Sequence, residues 1–137
     1  MAKCLVTGGA GFIGSNLVDA LIEKGHEVLV IDNLSTGEKE NLNPQAKFFE
    51  TDLRDFEKIR PIFDGVDFVF HQAALPRIPL SIEKPKESND INIGGTLNAL
   101  IASKEAGVKK FIYAASSSAY GDQKQLPLRE DMPCSPL

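Results

Sequence analysis

Long apolar runs, paired cysteines and blocks of basic residues are all scarce in this sequence. No run approaches the ~20 apolar residues of a membrane-spanning helix, and the apolar N-terminus is broken by Gly8, Gly9, Gly11 and Gly14 before a signal-peptide core can form. Membrane insertion is not expected, and the cytosol is the expected location. The two cysteines, Cys4 in an apolar run and Cys134 near the end, have neither C-x-x-C spacing nor the count of a disulfide framework. A reducing compartment follows; Cys4 reads as a core residue, and no metal site is expected. Lys and Arg number 15 against 19 Asp and Glu, a formal net charge of -4. No basic block is long enough to track a phosphate backbone, which argues against nucleic acid as a partner.

What is present is the composition of one globular domain: 137 residues, 42% hydrophobic and 25% charged. Short apolar runs alternate with helical patterns. Residues 3–7 (KCLVT), 27–31 (EVLVI), 47–50 (KFFE), 66–70 (VDFVF) and 110–115 (KFIYAA) read as five strands. They lack the in-out alternation of a sheet with one wet face, so both faces are covered and helices lie between them. The predicted fold is α/β, a doubly wound parallel sheet of Rossmann type. A first helix opens near Phe12, carries Ile13, Leu17, Leu21 and Ile22 on one face, and ends at Gly25. Residues 33–46 read as a loop with room for one helical turn, and 56–62 as a short helix interrupted by Pro61. Residues 75–85, with three prolines, read as a shaped loop, and 86–106 as the longest helix. Gly94 and Gly95 inside that helix cost about 1 kcal/mol each relative to Ala, which close packing or a ligand would explain. The polar stretch after Ala115 shows no sixth strand, so the expectation is a partial domain, 1–137, truncated after the fifth strand.

Between the first strand and first helix lies TGGAGFIG, residues 7–14. Gly8 suits a tight turn, Gly11 lets a pyrophosphate approach the backbone, and Gly14 allows close helix-strand packing. The helix N-terminus adds free N–H groups and a positive dipole end. The competing reading is a glycine-rich turn without a ligand. Asp32 ends the second strand 18 residues past Gly14, near the ~20 at which an acidic residue meets ribose hydroxyls; the alternative is a solvated strand-end carboxylate. A carboxylate there repels a 2′-phosphate, so the expected cofactor is NAD rather than NADP.

Six motifs in order, TGGAGFIG (7–14), DNLSTG (32–37), DLRD (52–55), HQAAL (71–75), NIGGTLNAL (92–100) and YAASSSAYGD (113–122), resemble the extended short-chain dehydrogenase/reductases. Among these the sequence is similar to the nucleotide-sugar 4-epimerases that act on UDP-hexoses such as UDP-glucose or UDP-N-acetylglucosamine. The resemblance implies Phe12 and Ile13 at the pyrophosphate, and Asp32 and Asn33 at the adenosine ribose, with Ser35, Thr36 and Gly37 in the same motif. It implies Asp52 and Leu53 at the adenine, Gln72, Ala73, Ala74 and Leu75 along the nicotinamide, and Asn92 nearby. The residue-level alternatives are a turn cap for Asp52, a packed polar residue for Asn92, and plain core for the alanines. His71 reads as structural rather than catalytic.

In such enzymes a Tyr activated by a Lys removes the sugar hydroxyl proton while NAD takes the hydride, and a Ser or Thr at the end of the fifth strand holds the same hydroxyl. Ser116 matches that position; its alternative is a strand-end serine satisfying backbone groups. Tyr120 and Lys124 fit Y-x-x-x-K, but side chains at i and i+4 meet only on a helix, which Gly121-Asp122 disfavours. The resemblance places the working pair on a later helix, beyond Leu137. It also implies a homodimer of the whole protein through the helices flanking the fourth and fifth strands. Two other classes compete with the enzyme: a dinucleotide-sensing module without chemistry, and a surface used only for interaction. Within the enzyme class, a 4,6-dehydratase or decarboxylase is the alternative. Arg77 reads equally as a diphosphate contact and as a solvated side chain.

Overall fold

The computed structural model describes residues 1–136. Five parallel strands, β1 (Lys3–Thr7), β2 (Glu27–Asp32), β3 (Lys47–Glu50), β4 (Phe68–His71) and β5 (Lys110–Tyr113), form one sheet in the order β3-β2-β1-β4-β5. Cys4 to Thr7 of β1 and Val28 to Ile31 of β2 are buried without a break, because both sheet faces are covered. The period of two reappears as two separate cores. Cys4, Val6, Val28 and Val30 pack against Val18 and Leu21 of helix α1 (Phe12–Glu23). Leu5, Leu29, Ile31 and Val69 face the opposite side, against Ile59, Phe63, Ala99 and Ala102. The expected doubly wound, Rossmann-type α/β sheet is the observed one.

Helix α1 stops where the sequence says it must. Gly25 takes φ +78°, the His26 amide donates to the Leu21 carbonyl at 3.1 Å, and the Gly25 amide to Ile22 at 2.8 Å. That pair of bonds satisfies carbonyls the helix would otherwise leave unpaired. On the other face, helix α2 (Phe56–Ile59) tightens into a 3-10 turn, Arg60–Phe63, with Pro61 at its start.

Boundaries differ from the sequence reading in several places, the smallest being β2, which runs one residue further to Asp32. The fourth strand runs Phe68–His71 rather than 66–70: the Val66 amide is turned back to the Phe63 carbonyl, and Asp67 spends its carboxylate on the Lys3 amide at 2.8 Å. The fifth ends at Tyr113, two residues early. The expected loop at 75–85 contains helix α3 (Ile78–Glu83), because Pro79 falls in its first turn, where a missing N–H costs nothing. The long helix is not uniform. Helix α4 (Pro85–Asn89) passes through a π-helical turn, Asp90–Gly94, into helix α5 (Gly95–Glu105). Gly95 is explained by packing, since a Cβ there would lie 3.2 Å from Leu53 Cβ; around Gly94 there is open space.

Candidate functional site

β1 lies between β2 and β4, so successive crossovers leave it in opposite directions and a crevice opens at the strands' carboxyl ends. The glycine turn forms its floor, and three of its glycines, Gly8, Gly9 and Gly14, are demanded by the protein's own packing, a Cβ on Gly9 lying 2.6 Å from Val30 Cγ1. Gly8 has φ +73° and a Cβ there would sit 2.7 Å from the Ala73 nitrogen; a Cβ on Gly14 would collide with the Gly8 carbonyl. Gly11 is different. Its φ of -79° suits any residue, and the nearest atom to a Cβ built on it is the Gly8 oxygen at 3.4 Å, an ordinary contact. Gly11 also opens α1, with no side-chain cap and no acidic residue in the first turn. The donors and positive dipole end at that terminus therefore face the cleft unneutralised. The side chains of Phe12 and Ile13 stand out into solvent, leaving their backbone as what they offer the site.

Asp32 organises the wall beside the turn. Its Oδ2 accepts from the Ala10 amide at 3.0 Å and its Oδ1 from the Leu34 amide at 2.8 Å, holding Leu34 at φ +56°. The Ala10 carbonyl in turn accepts from the Glu38 amide and from Asn41 Nδ2. Ser35, Thr36 and Gly37 are thereby carried over the glycine turn, and with Gly8, Gly11, Asp32 and Asn33 they line the cleft.

At one end stand Asp52 and Leu53. Asp52 is the turn cap that the alternative reading described: Oδ1 accepts from the Arg54 amide and Nε, both at 2.9 Å, and Oδ2 from Arg54 Nη2 at 2.9 Å and Asn33 Nδ2 at 2.7 Å. The Arg54 hydrogen bonds hold its carboxyl down to about 2. At the other end run Gln72, Ala73, Ala74 and Leu75. Asn92 does not line the cleft. It grips Leu75, whose amide donates to Oδ1 at 2.7 Å and whose carbonyl accepts from Nδ2 at 3.2 Å. Three lining residues escaped the sequence reading: Ile31, Thr51 and Ile91. Ile31 and Thr51 had a usable signal, being next to strand-end residues already singled out; Ile91 depends on the π-helical turn.

His71 is fully buried between two threonine hydroxyls and under the rings of Phe111 and Tyr113, which supports its structural reading. Ser116 stands apart from the cleft lining, and its Oγ accepts from the Ser118 amide at 3.1 Å, opening a 3-10 turn, Ser117–Tyr120. Tyr120 ends that turn and Gly121 follows at φ +64°, so no helix spans 120–124 and the Tyr120/Lys124 spacing is a coincidence of sequence. Arg77 sits at the cap of α3. Among the described residues no helix is long and apolar enough to cross a membrane.

A glycine turn at the switch point of a doubly wound sheet, opening an uncapped helix, with an acidic residue ending the second strand, defines a dinucleotide-binding fold. Residues 4–137 match the NAD dependent epimerase/dehydratase family, and the chain belongs to it. It is 39% identical over 137 residues to the UDP-glucose 4-epimerase of Lactobacillus helveticus, covering 98% of this chain and 42% of that protein. The solved UDP-glucose 4-epimerase of Thermotoga maritima, with UDP-glucose, superimposes with a TM-score of 0.91 at 44% identity, over 98% of this chain and 45% of that one. The Thermus thermophilus UDP-glucose 4-epimerase in complex with NAD gives a TM-score of 0.88 at 39% identity, covering 98% and 44%. The chain thus spans less than half the length of these relatives.

Proposed function

We propose that this chain is the NAD-binding part of a cytosolic nucleotide-sugar 4-epimerase, which works on a UDP-hexose by reversible hydride transfer at sugar C4. The observation that carries the reading is Gly11, a glycine that neither backbone conformation nor internal packing requires, at the mouth of an uncapped helix. A pyrophosphate drawn against the backbone is what its missing side chain accommodates. The rest of the cleft fits the same ligand. Asp32 has two of its roughly four lone-pair positions taken by Ala10 and Leu34, leaving two for the ribose hydroxyls. Asp52 and Leu53 flank the adenine, and Gln72 to Leu75 the nicotinamide. NAD when bound supplies the hydride acceptor and donor.

Asp32 also selects the cofactor: a 2′-phosphate about 4 Å away would meet like-charge repulsion on the order of 4 kcal/mol at an effective dielectric of 20. Calorimetric titration is expected to show NAD binding ahead of NADP; equal or tighter binding of NADP would overturn the assignment. Ser116 is proposed to hold the reacting sugar hydroxyl. Ser117 and Ser118 beside it carry hydroxyls that do not ionise near neutral pH, whereas expelling water from the sugar needs an acid and a base there. Epimerisation without dehydration follows. Proton removal needs a Tyr and a Lys on one helix face, which Tyr120 and Lys124 do not provide, so nucleotide binding without turnover is expected of residues 1–137. UDP-glucose turnover by this chain, abolished in Tyr120→Phe, would refute that.

A second copy of the chain is the proposed partner of α5. Leu97, Leu100 and Ile101 are exposed on it, with Ile93 just before. Gly94, three and seven residues before Leu97 and Ile101, has open space where a side chain would be. A smooth apolar stripe on one helix suits a self-complementary two-fold contact.

A further inference from the structure

His71 is buried and titratable, and nothing in the proposed chemistry uses it. Its Nδ1 lies 2.8 Å from Thr7 Oγ1 and its Nε2 2.9 Å from Thr96 Oγ1. The outer partners decide which way every proton points. Thr96 Oγ1 is 2.6 Å from the Asn92 carbonyl oxygen, which can only accept, so the Thr96 hydroxyl proton is committed there. The Thr96 oxygen must then accept from His71 Nε2–H. A neutral ring protonated on Nε2 has a bare Nδ1, which accepts from the Thr7 hydroxyl. The Thr7 oxygen is left to accept from the Ala73 amide, at 3.3 Å. Burial alone pushes the imidazole down to about 4, with the Phe111 and Tyr113 rings centred 5.5 and 5.7 Å away and no charged group contributing.

The relay joins the ends of β1 and β4, whose Thr7 and His71 are register partners, to the first turn of α5 at Thr96 and, through it, to the π-helical turn at Asn92. Asn92 then closes on Leu75 through its side chain. The segment between His71 and Leu75 is held at both ends by one directed set of hydrogen bonds.

We propose that His71, as its Nε2–H tautomer, is a positioning residue that locks Gln72 to Leu75 against the glycine turn and the helix behind it, and so sets the cleft's affinity for the nicotinamide half of a dinucleotide. The affinity part rests on the NAD reading above; the direction of the relay does not, and the two are tested separately. In a long-range proton-nitrogen correlation spectrum of ¹⁵N-histidine-labelled chain at pH 7, His71 is expected to show a bare Nδ1 and a protonated Nε2. The opposite tautomer, or an imidazolium, overturns the relay. Thr96→Val removes the hydroxyl at constant shape. It is expected to bind NAD about tenfold more weakly and ADP-ribose within about twofold of the parent, since one oriented hydrogen bond is at stake. Thr96→Ser should restore NAD affinity, and Thr7→Val, cutting the relay at its other end, should match Thr96→Val. Equal losses for NAD and ADP-ribose would mean general loosening and overturn the positioning role, as would unchanged NAD affinity in Thr96→Val. A parent chain that binds neither ligand sinks the cofactor reading and the affinity claim together, while the tautomer spectrum still decides the relay.

Discussion

The Asp32 carboxylate is held by the amides of Ala10 and Leu34 before any ligand arrives, so its replacement has two separable effects. Asp32→Ala leaves two partly buried amides without their acceptor, at about 1–3 kcal/mol for each such group. The urea midpoint should fall accordingly. In the same variant the ratio of NAD to NADP affinity should shrink, because the charge that repels a 2′-phosphate is gone; a ratio unchanged from the parent would show that selectivity lies elsewhere. His71 makes a pH prediction. Its ordinary value is 6.5 and burial lowers it to about 4, so between these pH values the unfolded chain binds a proton that the folded chain does not. Stability contributed by the neutral ring is complete above pH 6.5 and declines as pH falls toward 4, by up to about 1.4 kcal/mol per pH unit. Urea melts across that window should show the decline. The Asp52 contribution is lost separately, below 3.8 and toward about 2. Residues that chain position alone places along the cleft, such as Gly8, Asp32 and Asn33, were legible in the sequence. Thr7 and Thr96 were not, because the relay joins positions 7, 71 and 96, which only the sheet order makes neighbours.

At the level of elements, the two ends of α1 were readable, since its opening Gly11 and its closing Gly25 lie within one local window, while its apolar face was only partly so: Leu21 is buried as expected, but Ile13 stands in solvent and Val18 takes the core position. Helix α3 and the π-helical turn were hidden for opposite reasons. Prolines suggested a loop where Pro79 in fact starts a helix, and the extra residue that widens 90–94 changes neither composition nor polarity. The glycine turn offers a comparison between neighbours. Gly14→Ala forces a Cβ into the Gly8 carbonyl and is expected to lose about 1–3 kcal/mol of stability or more, as overpacking does. Gly11→Ala finds room, should unfold at nearly the parent urea concentration, and should still lose most of its NAD affinity. Unimpaired NAD binding by Gly11→Ala, measured by calorimetry, would remove the main support for the pyrophosphate site.

For the molecule as a whole, the paired cores and the sheet order follow from apolar runs that are long enough to be buried on both faces, which is why the architecture was legible while its surfaces were not. The α5 stripe belongs here, since the exposure of Leu97, Leu100 and Ile101 appears only once the helix is docked on the sheet. Leu97→Glu is expected to shift the chain toward monomer by light scattering while leaving NAD binding intact; a parent already monomeric at high concentration would refute the two-fold contact. The central place of β1 also bears on the order of assembly. It precedes the other four strands in the chain, yet it pairs with β2 in a register of Lys3 to Glu27 and with β4 in a register of Cys4 to Phe68, and the Ala73 wall of the cleft exists only after the second, far longer loop has closed. Long closures of this kind are slow. A nucleotide therefore meets a finished cleft only at the end of folding, so in stopped-flow experiments added NAD should leave the refolding rate unchanged and slow unfolding in proportion to its occupancy.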